Sequence, residues 1–328
     1  MRAPAGSVPR TSACETSIDI PLGRIAALRW DLRHAQEERE PARVLALHGW
    51  LDNAASFVPL AEHLRGLDLV AIDLPGHGRS AHLPPGADYS FALAMHNVLD
   101  VADALGWTRF ALLGHSMGAG IASLLAAACP QRVERLVAIE ALGALPETVE
   151  NTVPRLRDAV AAARALPGKR LRTFDSLEPA IRARVNGHVV RVGEAAARLL
   201  VERGVRRVDA GADPGGSGGW EWSSDPRLTL PTMVRMTEEQ VRALIAGIEC
   251  PTRVIYADPP QPYLPEPRRS QHAALLPRGT MAVIPGSHHL HMERPAEVAA
   301  AIGEFFHEGA QTDAAQSDDK ARGTVAGP

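Results

Sequence analysis

The sequence contains the stretch Arg109-Phe-Ala-Leu-Leu-Gly-His-Ser-Met-Gly118, which carries the strongest indication of the fold. Its first five residues form a short apolar run with the length of a buried parallel strand. The next five fit the pattern G-x-S-x-G, and a helical stretch, residues 116–129, follows directly. This strand–turn–helix context is what the pattern requires, because it puts the serine in a strained turn from which its hydroxyl projects at the carboxyl edge of a sheet.

Ser116 is therefore predicted to be a nucleophile, supported by Gly114, His115 and Gly118. Glycine has no side chain, so neighbouring backbone can come close on both sides of the serine. The N-terminus of the helix behind Ser116 favours developing negative charge. The alternative is a plain helix N-terminus, with a serine cap and two glycines that serve packing only.

Short apolar runs and helical stretches alternate on both sides of this motif. The apolar runs are residues 44–47, 67–72, 109–113, 136–139, 252–256 and 280–284. The helical stretches are residues 57–64, 91–105, 116–129, 269–276 and 295–306. This alternation predicts an α/β fold with helices on both faces of a sheet. Residues 16–20 and 25–30 predict an antiparallel hairpin at the edge of that sheet.

The alternation stops between residues 143 and 231. This segment has a helical, arginine-rich pattern, and its glycine-rich stretch, residues 211–219, is typical of a loop. We interpret it as a helical cap inserted into a core that consists of residues 14–142 and 232–308. The polar ends of the chain form two predicted disordered tails, residues 1–13 and 309–328.

The composition excludes several classes of protein. The 35 basic and 38 acidic residues give a formal net charge of −3, so no overall positive field attracts nucleic acid or an anionic membrane. No apolar stretch approaches the roughly 20 residues of a membrane span, and the N-terminus lacks the apolar centre of a signal peptide. Cys14, Cys129 and Cys250 suit neither a disulfide framework nor a metal site. We expect a cytoplasmic protein with a small-molecule substrate and no nucleic-acid or membrane partner.

Positive charge is concentrated in the predicted cap. Residues 153–207 carry twelve arginines and Lys169 against five carboxylates. A charge run of this kind is typical of a solvated helical face. The functional alternative is a preference for anionic substrates or for an acidic partner.

A second turn follows a predicted strand, in Leu47-His-Gly-Trp50. A loop that leaves a strand in this way can aim a backbone N–H at the oxygen of a reacting carbonyl group. The residue after the nucleophile usually supplies the second donor. This predicts an oxyanion hole formed by the amides of Trp50 and Met117. His48 and Gly49 support the turn, with His48 as a structural hydrogen-bonding residue; a plain glycine turn is the alternative.

Four motifs together resemble the α/β-hydrolase superfamily, in that superfamily's order. They are His48-Gly-Trp50, Asp73-Leu-Pro-Gly-His-Gly-Arg-Ser80, Gly114-His-Ser-Met-Gly118 and Ser287-His-His-Leu-His-Met-Glu-Arg-Pro295. The cap is similar to that of the serine hydrolase-like subgroup in Ala195-Ala-Ala-Arg-Leu-Leu-Val-Glu-Arg-Gly204, Trp220, Asp225-Pro-Arg-Leu228 and Met236-Thr-Glu-Glu-Gln240. The resemblance covers about residues 16–308. It implies an eight-stranded, mostly parallel sheet with a helical cap inserted after the sixth strand, and a hydrolase that needs no cofactor.

The base of such a hydrolase is a histidine late in the chain, since a serine is a poor nucleophile until its proton is removed. His288, His289 and His291 follow the last predicted strand. The resemblance selects His288, because the superfamily's base stands seven residues before the proline that matches Pro295. The superfamily usually has glycine where Ser287 stands. His289 is the alternative base, and otherwise we expect His289 and His291 to pack and hydrogen-bond around the loop.

The carboxylate that orients this histidine has two candidates. The superfamily's commonest position, in the loop after the seventh strand, falls on Pro260, and Asp258 stands two residues before it. Glu140 directly follows the sixth strand, in Val137-Ala-Ile-Glu-Ala-Leu142, and matches the glutamate arrangement of some dehalogenases and luciferase-type hydrolases. We prefer Glu140 and keep Asp258 as the alternative, although surface carboxylates are also common at strand ends.

These residues predict a serine hydrolase that cleaves an ester or a related acyl bond through an acyl-enzyme intermediate. A cofactor-free perhydrolase or a carbon–carbon bond hydrolase uses the same triad and is an alternative. A second alternative is a binding protein that keeps the fold without turnover. Epoxide hydrolases and dehalogenases are disfavoured, because they have aspartate where Ser116 stands.

Overall fold

The computed structural model describes residues 12–33, 39–166, 173–187, 191–209 and 218–308. Nearly all of the two predicted tails and of the glycine-rich stretch 211–219 lie outside these residues. Cys14, Cys129 and Cys250 are all free thiols. None of the helices in the described ranges has both the length and the apolar character needed to cross a membrane.

Strands and helices alternate through most of the described chain. The strands are β1 (Cys14–Ile20), β2 (Gly23–Asp31), β3 (Ala42–Leu47), β4 (Leu67–Ile72), β5 (Phe110–His115), β6 (Val133–Ile139), β7 (Thr173–Phe174), β8 (Val205–Val208), β9 (Gly219–Trp222), β10 (Thr252–Asp258) and β11 (Gly279–Pro285). The α-helices are α1 (Val58–Ala61), α2 (Phe91–Ala104), α3 (Met117–Ala128), α4 (Thr152–Ala165), α5 (Leu177–Val185), α6 (Glu194–Gly204), α7 (Glu238–Ala246), α8 (Arg268–Ala273), α9 (Leu290–Glu293) and α10 (Pro295–Ile302).

Eight strands form one sheet in the order β1-β2-β4-β3-β5-β6-β10-β11. β2 runs antiparallel to both of its neighbours, and all other neighbouring strands are parallel. Parallel neighbours need long crossover connections, which the helices provide. The predicted α/β-hydrolase fold is thus confirmed, and the predicted hairpin forms the β1 edge of the sheet.

The central strands are apolar throughout because both faces of the sheet are covered. In β5, Phe110 and Leu112 belong to one hydrophobic core, and Ala111 and Leu113 belong to the core on the opposite face. Successive side chains of a strand point to opposite faces, so each residue of β5 needs an apolar partner. The first predicted helix is shorter than expected, because α1 ends at Ala61. Residues 54–57, before it, form a 3₁₀ turn that the Asn53 side chain caps.

The segment predicted as a helical cap contains α4, α5 and α6, and also a small antiparallel sheet in the order β7-β9-β8. These strands were not predicted, since strands of two to four residues are too short to carry a periodic pattern. A separate hydrophobic core holds the segment together, and it includes Phe174, Ile181 and Leu200. Met292, in α9 of the main body, packs into that same core.

A buried ion pair fastens this segment to the main sheet. Nε of Arg203, in α6, donates to both carboxylate oxygens of Asp73, at 2.9 and 3.0 Å. The backbone N–H groups of Ala54 and Arg79 donate to the same carboxylate, at 2.7 and 2.8 Å. Because Asp73 is fully buried, its charge depends on these partners.

We expect Arg203→Met to lower the free energy of unfolding by about 3 kcal/mol, because it leaves a buried carboxylate without its counter-charge. The matched control is Arg206→Met, in which an exposed arginine loses its ion pair with Glu221. An exposed pair contributes roughly 0–1 kcal/mol. Urea titrations of both variants measure the difference, and equal losses would contradict the role given to Arg203.

Candidate active site

Ser116 occupies the turn between β5, which ends at His115, and α3, which begins at Met117. Its backbone angles are φ 51° and ψ −117°, which a residue with a side chain adopts only at an energetic cost. Among the described residues, the non-glycine positions with positive φ are Leu51, Ser116 and Glu140. These three residues follow β3, β5 and β6, at the carboxyl edge of the sheet. Backbone strain concentrates at functional sites, which favours this edge as the active site.

Glycine is required on both sides of Ser116 by close contacts of the backbone. A Cβ atom on Gly118 would lie 2.0 Å from the carbonyl oxygen of Leu47, and one on Gly114 would lie 2.4 Å from Cα of Ala119. No side chain fits at such distances. The start of α3 can therefore pack directly against the end of β3, and this brings Ser116 next to the turn that follows β3.

That turn is formed by Gly49, Trp50, Leu51 and Asp52. The N–H of Asp52 donates to the carbonyl oxygen of Gly49 at 3.1 Å, and Leu51 has φ 58°. The amides of Trp50 and Met117 donate to no acceptor within the described ranges. An oxyanion hole needs two unpaired backbone amides close together, and these two lie on the turns that follow β3 and β5.

His48 lies beneath this turn and is fully buried. Its Nδ1–H donates to the carbonyl oxygen of Gly49 at 2.8 Å, and its Nε2 accepts from the N–H of Leu74 at 2.9 Å. Burial lowers the pKa of His48 to about 4, so the ring is neutral at neutral pH. With both nitrogens bound to backbone groups, His48 has the contacts of a structural residue.

His288 lies between β11 and α9 and is 5% exposed. Its Nδ1 is 3.1 Å from Oε2 of Glu140. Because a carboxylate only accepts, the proton must be on Nδ1. The lone pair of a neutral ring is then on Nε2, which has no side-chain partner among the described residues. This is the tautomer that a general base for Ser116 needs.

Glu140 is held firmly in place. Its Oε1 accepts from the backbone N–H of Ala257, and its own N–H donates to the carbonyl oxygen of Ile255 at 2.9 Å. Both partners lie in β10, next to β6 in the sheet. Asp258, the alternative acid, ends β10 with an exposed side chain. The structure therefore brings Glu140, and not Asp258, into contact with His288.

Tyr263 also contacts His288 and was missed by the sequence analysis. Its hydroxyl oxygen is 3.1 Å from Nδ1 of His288 and accepts from the same N–H that Glu140 binds. Burial, followed by the nearby charge of Glu140, raises the pKa of Tyr263, so the phenol stays protonated. The only sequence signal was the position of Tyr263 in the loop after the seventh sheet strand.

Three buried side chains lie close together behind this site. Asp52, His115 and His289 have ligand atoms within 4.8 Å of one another, and no other such group occurs in the described part of the chain. However, the two oxygens of Asp52 already bind the Arg184 guanidinium and the Nε2–H of His289. Because a bound guanidinium repels a second cation, the group fits a hydrogen-bonded network better than a metal site. Neither Asp52 nor Arg184 carries a local sequence signal for this role.

Known proteins share both sequence and fold with this chain. Residues 42–176 match the family model described as alpha/beta hydrolase fold. A serine hydrolase-like protein of Dictyostelium discoideum is 31% identical over 305 residues, which are 90% of this chain and 82% of that protein. A probable serine hydrolase of Drosophila melanogaster is 31% identical over 306 residues, covering 90% of this chain and 88% of that protein.

The fold comparison agrees with these relatives. The crystal structure of a hypothetical protein from Pseudomonas aeruginosa PAO1 has 39% sequence identity and a TM-score of 0.77, and the match covers 87% of this chain and 96% of that chain. A thioesterase domain from the curacin biosynthetic pathway, at 24% identity and a TM-score of 0.71, shares the fold. The chain thus belongs to the α/β-hydrolase family and, within it, to the group of the serine hydrolase-like proteins.

Proposed function

We propose that the protein is a serine hydrolase that cleaves an ester or a related acyl bond through an acyl-enzyme intermediate. The observation that carries the proposal is the 3.1 Å contact between Nδ1 of His288 and the buried carboxylate of Glu140. In this tautomer, Nε2 of His288 can accept the proton of a nucleophile on the adjacent strained turn, where Ser116 lies. The predicted cap and core are proposed to be the two parts of this hydrolase, and a reducing compartment suits its three free thiols.

In the proposed reaction, Oγ of Ser116 attacks the carbonyl carbon while Nε2 of His288 takes its proton. The amides of Trp50 and Met117 donate to the oxygen that becomes negative. Glu140 stabilises the imidazolium that forms. His288 then gives its proton to the leaving group, and the acyl group stays on Ser116. A water molecule, deprotonated by His288, then attacks the acyl-enzyme. His288 returns this proton to Oγ of Ser116 as the bond to the acyl carbon breaks, which releases the acid and the free serine.

Ser116→Ala should abolish both labelling by a fluorophosphonate probe and hydrolysis of p-nitrophenyl esters, because the nucleophilic oxygen is lost. Ser123→Ala is the matched control: Ser123 lies about two turns further along, in α3, and its hydroxyl donates to the carbonyl oxygen of Ala119. This control should label like the wild type. A wild-type protein that takes no label would favour the alternative of a ligand-binding member of the fold.

Glu140→Gln and Asp258→Asn separate the two candidate acids. Glu140→Gln should reduce kcat for a p-nitrophenyl ester by about 10³- to 10⁴-fold, since the amide no longer holds the required tautomer of His288. Asp258→Asn removes an exposed charge and should leave kcat at the wild-type value. A large loss in Asp258→Asn alone would transfer the role of the acid to Asp258.

A further inference from the structure

Asp52 is a buried carboxylate, 2% exposed, that joins three parts of the molecule. One oxygen accepts a hydrogen bond from Nη2 of Arg184, in α5. The other accepts from Nε2–H of His289 at 3.1 Å. A single carboxylate therefore connects a helix of the predicted cap with the loop that carries His288.

The same residue belongs to the turn that carries the proposed oxyanion donor. Its N–H closes that turn on the carbonyl oxygen of Gly49. A Cβ atom on Gly49 would lie 3.0 Å from Oδ2 of Asp52, so the carboxylate packs directly against the backbone of the turn. A displacement of the Asp52 side chain would consequently move the Trp50 amide as well.

The loop of His288 is anchored at two points. Nε2–H of His115 donates to the backbone carbonyl oxygen of His288 at 2.9 Å. The ring of the next residue, His289, is bound to Asp52. Backbone and neighbouring side chain are thus both fixed, and these anchors determine where the His288 ring stands in front of Glu140.

The cap supplies part of the charge that lowers the pKa of Asp52. Burial by itself raises the pKa of Asp52, but the charges of His289 and Arg184 hold it well below its usual range. Without a counter-charge, a buried carboxylate is strongly destabilised. The position of the Asp52 carboxylate therefore depends on its contact with the Arg184 guanidinium.

We propose that Asp52 is a positioning residue that links the packing of the cap against the core to the alignment of the active site. With Arg184 bound, Asp52 holds the Trp50 amide and His288 in the positions that attack by Ser116 requires. The inference rests on the proposed function, because it concerns the alignment of that triad. Misplacing reacting groups by about 1 Å costs roughly 10²-fold in rate. The cap thus controls turnover through this contact, in addition to any effect on substrate access.

The test compares Asp52→Asn, Arg184→Met and the double variant of the full chain with a p-nitrophenyl ester. Asp52→Asn should lower kcat by about 10- to 100-fold while KM changes much less, since it misaligns groups without removing a substrate contact. Arg184→Met should lower kcat in the same way. The double variant should match Asp52→Asn alone, because residues that act through one contact are not additive. Arg184→Lys, which keeps the charge, should recover part of kcat.

Two controls separate this role from a structural one. Arg182→Met alters an exposed arginine two residues away in α5 and should leave kcat and KM unchanged. Asp73→Asn weakens the other buried tie to the cap, the Arg203 pair, and should lower Tm with a smaller effect on kcat than Asp52→Asn. Should Asp52→Asn fail to fold, Arg184→Met and Arg184→Lys carry the test, because Arg184 is partly exposed.

Wild-type kcat in Asp52→Asn, a change in KM alone, or additive losses in the double variant would each overturn the inference. Fluorophosphonate labelling keeps this outcome distinct from failure of the proposed function. If the wild type labels at Ser116 and the Asp52 and Arg184 variants label at the same rate, the hydrolase stands and the coupling fails. If the wild type does not label at all, the proposed function itself fails.

Discussion

Parallel strands end at a common edge of the sheet, and the candidate site depends on this constraint. β3, β5, β6 and β10 lie side by side, so the residues that follow them meet although they are far apart in sequence. In the register of these strands, Leu47 pairs with Gly114 and His115 pairs with Ile139. In the chain, the turn with Trp50 comes shortly after Leu47, Ser116 comes directly after His115, and Glu140 comes directly after Ile139. The loop after β11 then adds His288.

The same edge collects an unusual number of buried polar groups, and their charges need partners. His48 and His77 are buried, and desolvation lowers their pKa values to about 4 and about 3, so both rings are neutral at neutral pH. The carboxylates of Asp52 and Asp73 instead bind arginines. These arginines, Arg184 and Arg203, come from the predicted cap, while backbone amides complete the shell of Asp73.

This pairing changes the interpretation of the basic cap. The sequence alone allowed a solvated face or a preference for anionic substrates. Two of its arginines point inward and pair with buried carboxylates, Asp52 and Asp73, in the loops that follow β3 and β4. Others pair with carboxylates nearer the surface, as Arg206 does with Glu221. Part of the positive charge therefore serves the contact between the predicted cap and the predicted core.

Much of the fold was predictable because its signals are local. The six apolar runs marked six strands of the main sheet within a few residues, since burial on both faces demands uninterrupted apolar side chains. The predicted hairpin marked the other two strands, β1 and β2. The three short strands of the predicted cap escaped detection, because β7 and β9 find their partners only across intervening chain. Tyr263 escaped for a similar reason, as its contact with His288 exists only when two loops meet.

The strained turn that holds Ser116 could be predicted from the sequence, because a strand, two glycines, a serine and a helix follow one another and their geometry is local. It left Glu140 and Asp258 as competing acids, since both stand at the ends of neighbouring strands. Which of them contacts His288 depends on how the strands and loops pack together. The positive φ of Glu140 and the bonds of its side chain and backbone to β10 bring its carboxylate to the histidine, whereas the Asp258 side chain lies in solvent. The ion pairs of Arg184 with Asp52 and of Arg203 with Asp73 could not be predicted from the sequence either. Pairs between residues more than a hundred positions apart leave no periodic or local pattern in the chain.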